Sequence, residues 1–328
     1  MTSTRIEPAA PPPAQARKSL AESQPADRIF LGLTAAAAAG VLGLVVAIAV
    51  FLIVKAVPAL RVDSVSFLRE RQWLPDAKPS VFGIAALATG TIVTSLLAVA
   101  MGVPVAIAAA LFITDIAPRR FAGLLGSLLD LLAAVPSIVY GLWGIFFLVP
   151  RLGGLQHWLG NYLGWIPIFD NKGGVVGRSL FAASVVLAIM IVPIVAAISR
   201  EIFLQVPVAD REGAMALGAT KWEAIRLAVL PYSQAGIVGA VMLGLGRALG
   251  ETIAVALILA ASFDISANVL KPGGNSIAAN IATNFGSSET VGRGALIASG
   301  LVLFVITLCI NVLARAIVYR AQAKRVHP

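Results

Sequence analysis

The chain has 328 residues, 59% of them hydrophobic and 12% charged, with a formal net charge of +9 and a mean hydropathy of +0.91. That hydropathy excludes an ordinary soluble domain. Basic residues scattered between apolar runs, with no interleaved aromatic stripe, exclude nucleic acid as a partner and leave an anionic membrane surface and an anionic solute. Cys309 is the single cysteine, which excludes an intrachain disulfide, a thiolate metal site and a redox pair, and its apolar setting makes it a packing residue.

Residues 1–28 are rich in Ala, Pro and charge, lack apolar periodicity and are expected to form a disordered tail. The apolar run that follows, 29–54, exceeds the ~7–15-residue core of a cleaved secretory signal and is read as a retained anchor. A helix crosses the ~30 Å hydrocarbon layer with ~20 mostly apolar residues, because each backbone polar group must be satisfied within the segment. Six stretches qualify: 29–54, 81–113, 121–149, 179–199, 233–263 and 295–314. The second and fifth exceed a perpendicular crossing, so tilt, extension or a break near Pro104 is expected.

An even number of spans puts both termini on one side. The loops on that side carry 14 Lys and Arg against 10 opposite, which makes it the cytoplasmic side. The expected organisation is an all-α membrane protein with a cytoplasmic tail over 1–28, a first span and outer loop over 29–80, a membrane domain over 81–316 and a cytoplasmic tail over 317–328. The outer segment 151–178, with His157, Trp158 and Trp165, is expected to form a structured cap at headgroup level. His157 is read as an interfacial side chain, since the other histidine, His327, lies in the opposite tail and no metal cluster results. The outer stretch 276–285 has helical spacing and either meets an external protein or is a plain loop helix.

The polar segment between the fourth and fifth spans is longer than a turn requires. Asp210 is placed to cap a first short helix, with Glu212 near its positive end and Gly218 ending it in a left-handed conformation. Thr220 and Glu223 form a Thr-x-x-Glu capping box for a second helix ending at Pro231. On spacing alone this is either a docking knob or a surface loop that happens to be helical. Glu212, Ala214, Gly218, Leu230 and Pro231 match the spacing of the EAA loop, so the segment resembles permease subunits of bacterial ABC importers. Gly213 replaces the second-position Ala of that motif and loosens the first helix by ~1 kcal/mol; Ala228 replaces its Ile. The resemblance implies a coupling helix that docks in a groove on a cytoplasmic ATPase. The sequence contains no phosphate-binding G-x-x-x-x-G-K-[ST] loop, so the ATP-binding subunit is expected to be separate, with no cofactor and no enzymatic chemistry in this chain.

The fifth apolar run contains Arg247 and Glu251. An intramembrane charge costs ~2.5–3.5 kcal/mol on insertion scales and is expected to face a bundle interior or an aqueous path. At i, i+4 the two share one helix face, and two roles stay open. They form a mutual salt bridge, or Arg247 receives a tetrahedral oxyanion while Glu251 accepts a hydrogen bond from phosphate and repels sulfate. Gly236, Ala240 and Gly244, continued by Gly246, Gly250 and Ala254, form a small-residue ladder suited to close helix approach, including approach of a second permease. Asp130 is read as a helix-contact residue, and Pro136, Tyr140 and Gly141 as a kink or a path lining.

The Gly-Arg-Ala-Leu-Gly-Glu-Thr run that holds Arg247 and Glu251, together with Val135-Pro-Ser-Ile-Val-Tyr-Gly141, resembles the phosphate-specific (Pst) permeases in their C-type form. The resemblance implies a type I ABC importer permease fold with six transmembrane helices. It also implies a heterodimer with an A-type permease, a cytoplasmic ATP-binding subunit, an extracytoplasmic phosphate-binding protein, and Arg247 and Glu251 as residues needed for transport. Within that class the cargo alternatives are phosphonate, sulfate and molybdate; outside it the rival is a membrane sensor of phosphate status. An intramembrane enzyme lacks a nucleophile, an acid/base pair or a metal cluster.

Overall fold

The computed structural model describes residues 25–170 and 174–326. Most of the expected N-terminal tail, and His327, lie outside the described residues. The chain divides into two compact units, Met1–Phe51 and Leu52–Pro328. The described part of the first is the opening stretch of α1 (Pro25–Val62).

After α1 a two-residue antiparallel ribbon, β1 (Trp73–Leu74) and β2 (Val81–Phe82), leads into α2 (Ala85–Leu111), which closes in a π turn at Phe112–Ile116. Then come α3 (Arg119–Ala133), α4 (Ser137–Trp143), a π turn at Gly144–Leu148 and α5 (Val149–Tyr162). The central helix α6 (Leu180–Leu204) is followed by α7 (Val208–Ala216), α8 (Lys221–Ala224), a π turn at Ile225–Val229 and α9 (Leu230–Gly250). The chain ends with α10 (Ile253–Ile258), α11 (Ile277–Asn284) and α12 (Thr290–Val326).

Among the described residues six helical runs are long and apolar enough to cross a membrane: Ile29–Val62, Ala85–Ile116, Ser137–Tyr162, Leu180–Leu204, Lys221–Gly250 and Thr290–Ala316. Their number matches the sequence reading, but two sets of boundaries do not. Pro136 lacks an N–H and disfavours helical backbone in the residue before it, so the run 121–149 splits. Its first half is α3, a separate amphipathic helix with Phe121, Leu124, Leu128 and Leu131 exposed along one side. Its second half joins α5 to make the third span, and the first part of the expected headgroup cap, 151–162, is thereby span. The other change concerns the fifth span, which starts at the capping box and breaks after Gly250.

α6 organises the bundle: 67% of its most apolar window is buried, against 33% or less in the other five spans. Small residues let α2 lie directly against it. Ala98 and Ala106 are fully buried, and a Cβ on Gly102 would stand 3.1 Å from the Ala188 carbonyl oxygen. One part of the small-residue ladder on α9 serves the same helix. Added Cβ atoms at Gly236 and Gly244 would meet Ile202 and Val195 at 2.7 Å, so these positions form an intrachain contact rather than the second-permease interface allowed by the sequence. At the end of the bundle opposite α7, Trp73 and Phe82 of the ribbon pack with Leu87, Ile277 and Leu296. There α11 is buried along Ile277–Asn280, while Ala282, Thr283 and Phe285 are exposed, so the first half of the stretch 276–285 is packed into the bundle. Cys309 is exposed on α12 rather than packed.

Candidate functional site: a broken fifth span and a docking knob

α9 ends three residues beyond Arg247. Glu251 turns into extended backbone at φ −66°, ψ 126°, and α10 begins at Ile253. The i, i+4 relation assumed from sequence therefore fails, because the helix that would enforce it has stopped. No ion pair joins Arg247 to Glu251 among the described residues. Instead the Glu251 carboxylate accepts a hydrogen bond from the Ala254 amide at 3.2 Å, and Glu251 is only 8% exposed. Its charge is used to satisfy a backbone donor freed by the break, as an N-terminal cap does.

The other end of α10 is held by Arg178, at the head of α6. Its guanidinium donates to the carbonyls of Leu257, Ile258 and Leu259 at 3.0, 3.0 and 2.8 Å. Irregular backbone at membrane depth is tolerated only where such groups are satisfied, and a cation beside a helix C-terminus also meets the negative end of its dipole. The flank of α10 lies on α4, where a Cβ at Gly141 would come within 2.8 Å of Ala254 Cα. Gly141 thus serves a close approach. Tyr140 beside it donates to the Leu132 carbonyl at 2.9 Å, across the α3–α4 bend, and stands within Coulombic range of Arg247.

Arg247 has a different environment. Its Nε is buried and has no hydrogen-bond partner among the described residues. The residue lines a half-open cavity of about 540 Å³ whose apolar wall includes Ile194, Met242 and Leu243. Gly239 and Gly246 border the same space, and a Cβ at either would touch nothing, so the surface of α9 is open there. Asn311 of α12 is the cavity's second polar side chain. Sequence reading did not single it out. The available signal was one carboxamide inside a long apolar run. The arrangement is a fixed cation with spare donor capacity facing a mostly apolar chamber, which suits a small anion shed of part of its hydration.

Roughly 39 Å along the same helical run, by rise per residue, lies the knob. α7 starts after Pro207 rather than at Asp210, which sits in the first turn. Its end is a Schellman motif: the Gly218 amide donates to the Met215 carbonyl at 3.0 Å and Ala219 to Ala214 at 3.2 Å. The φ of Gly218 is +88°, the left-handed geometry that places glycine here. Gly213 has open space beyond its Cα, so packing does not demand a glycine there, and Glu212 is solvent-exposed. Thr220 and Glu223 complete both bonds of the capping box.

The second helix does not stop at Pro231. The π turn at Ile225–Val229 accommodates the missing N–H and the ring, and the helix continues as α9. Leu230 packs on a cluster that includes Phe203, Ile225 and Val229. Arg211 pairs with Asp115 beyond the end of α2 and donates to the Phe203 carbonyl at 2.6 Å, which fastens α7 to the bundle. Asp130 of α3 contacts Arg200 of α6 at 3.6 Å, the helix-contact role expected of it.

The knob's free surface presents two large apolar side chains, Leu217, 91% exposed, and Trp222, 61% exposed, among exposed charged residues such as Glu212 and Lys221. Exposed aromatic and aliphatic anchors of this kind are what a partner groove takes up. Thr220→Ala should cost the cap ~1 kcal/mol and raise amide exchange at Glu223 by roughly fivefold. Hydrogen–deuterium exchange on the purified chain measures this, and an unchanged rate would mean the box contributes nothing.

Residues 102–323 match the family model described as binding-protein-dependent transport system inner membrane component. The phosphate transport system permease protein PstC 2 of Mycobacterium tuberculosis is 44% identical over 295 residues, covering 89% of this chain and 91% of that one. The phosphate transport system permease protein PstC of Xylella fastidiosa is 40% identical over 302 residues, covering 91% and 92%. Among solved structures, a chain of an amino acid ABC transporter superposes with a TM-score of 0.48 at 21% identity, covering 72% of this chain and 92% of that one.

Proposed function

This chain belongs to the binding-protein-dependent transport inner membrane component family, and from that premise we propose that it is the membrane-spanning permease subunit of an ATP-driven importer of inorganic phosphate. It is a multi-pass inner-membrane protein with an all-α fold. The likeness to phosphate permeases over about nine-tenths of the chain supports the cargo. The observation that carries the anion reading is Arg247, a guanidinium whose Nε has no hydrogen-bond partner and which makes no ion pair among the described residues, lining a half-open cavity.

In this reading both termini and the knob are cytoplasmic. Glu212, Gly213, Ala214, Gly218, Leu230 and Pro231 belong to the loop that engages a separate ATP-binding subunit. The exposed Leu217 and Trp222 support that assignment. A second, A-type permease completes the path, and an extracytoplasmic phosphate-binding protein delivers the anion to it. Arg247 meets the anion directly. Glu251 acts by holding the break open at the start of α10, which supports a positioning role in transport rather than contact with the cargo. Alternating exposure of Arg247 to the two sides, driven through the knob, moves phosphate with no covalent step in this chain.

The test is uptake of labelled phosphate by cells that lack their own importer and express this chain with its three partners. Uptake should require all four components and should be competed by phosphate but not by a hundredfold excess of sulfate, molybdate or phosphonate. Equal competition by sulfate would move the assignment to another oxyanion. Uptake without the ATP-binding subunit would remove the coupled-importer reading.

A further inference from the structure

We infer that Asn311 is a specificity-determining residue of the anion path, its side-chain amide accepting the hydrogen bond of a proton-bearing phosphate oxygen. This rests on the reading of the chain as a phosphate permease and identifies a second contact in the same cavity.

Asn311 and Arg247 are the two polar side chains lining that cavity, and both have unused hydrogen-bonding capacity. Arg247 Nε is buried without a partner among the described residues, and Asn311, half-buried on the cavity wall, makes no hydrogen bond to any described residue. On the same helix, Ser299 and Thr307 donate back to the Leu296 and Leu303 carbonyls. A carboxamide without a partner in an apolar setting is destabilising, so its presence on a cavity wall points to water and cargo as its partners.

The chemistry separates two anions of similar shape. Phosphate near neutral pH carries at least one P–O–H, whereas sulfate carries only acceptor oxygens. Arg247 supplies donors to either. A primary amide adds two N–H donors and one acceptor oxygen, and the acceptor is the group that only a protonated oxyanion can use. Against sulfate, that oxygen faces lone pairs and stays unpaired once the anion displaces water from it, which disfavours sulfate relative to phosphate. The sequence offered Glu251 for this task, but its carboxylate is bound to the Ala254 amide and Glu251 does not line the cavity.

The experiment uses the full chain co-assembled with its partner permease and ATP-binding subunit, without binding protein. Replacing the single native cysteine by Cys309→Ser and introducing Met242→Cys places one alkylation reporter in the cavity. Inorganic phosphate should slow its alkylation, and sulfate should do so only at about tenfold higher concentration. Asn311→Leu should erase that difference. Asn311→Asp keeps an acceptor and removes the donors, so both anions should protect more weakly while phosphate stays preferred.

If Asn311→Leu leaves the preference intact, or Asn311→Asp makes sulfate as protective as phosphate, the inference is overturned while the permease reading stands. Should neither anion protect the parent, the anion-cavity reading fails first. Should Asn311→Leu fail to co-purify with the partner permease, the Asn311→Asp result alone decides.

Discussion

Arg247→Gln is expected to lower maximal phosphate uptake by roughly 10- to 100-fold, with normal amounts of assembled complex in the membrane. Hydrogen bonds to a charged group contribute ~1.5–3 kcal/mol each, and ~1.4 kcal/mol corresponds to a factor of ten. Glutamine retains polarity and the aliphatic stem but is shorter and loses the charge and the two-pronged donor edge. Arg247→Lys restores the charge as a point without the fork and should fall between. Because Arg247 makes no ion pair among the described residues, neither change leaves an orphaned carboxylate, so assembly should survive. Labelled uptake normalised to complex recovered by affinity purification is the measurement. Full uptake by the glutamine variant would mean that the anion does not meet this side chain.

The second large effect is expected where the knob joins the bundle. The side chains of Arg211 and Asp115 are 22% and 11% exposed, so their ion pair is neither a surface pair nor a fully buried one. Breaking a buried pair costs ~3–5 kcal/mol; partial exposure reduces this to about 1–3 kcal/mol. Among the described residues, Asp115→Asn leaves the guanidinium with the Phe203 carbonyl alone, and Arg211→Met leaves a carboxylate whose only other partner is Thr114. Each single change should lower the melting temperature of the purified complex. Each should also reduce the phosphate moved per ATP hydrolysed by several-fold, since α7 is then free to shift without carrying α2. The exchanged pair, Asp115→Arg with Arg211→Asp, should recover part of the loss but not all, because the bond to the Phe203 carbonyl needs a donor at position 211. Additive losses in the exchanged variant would show that the two groups do not act as a pair.

The sequence was legible wherever a local rule decides the outcome. Bilayer thickness sets the length of an apolar run, so six spans could be counted. The Thr220–Glu223 box and the Gly218 ending depend on residues within one turn, and both formed as read. Boundaries went astray where backbone chemistry cut across hydropathy. Pro136 divides a run that is apolar throughout, and the π turn before Pro231 carries a helix past a residue that ordinarily stops one. Asp210 was read as a cap by residue type, but Pro207 had already set the helix start three residues earlier.

Arg247 stood out because its charge is conspicuous in hydrocarbon. Its relation to Glu251 could not be read, since helical spacing presupposes a helix and nothing in Gly250-Glu251-Thr252 announces a break on hydropathy alone. Arg178 and the Arg211–Asp115 pair were invisible for another reason: each bond spans 79 to 96 residues of chain. Asn311 has no local partner at all, and only the cavity gives it meaning.

Between Leu230 and Arg247 the fifth span is regular helix, bounded by the π turn next to the knob and by the break after Gly250. The Arg247 guanidinium is therefore mounted near the tip of a stiff arm whose base lies beside the α7–α8 knob. The arm measures roughly 26 Å at the helical rise, so a swing of ~10° about its base carries Arg247 some 4–5 Å. That is about the width of a hydrated passage closing to a contact, reached with no unwinding along the arm itself.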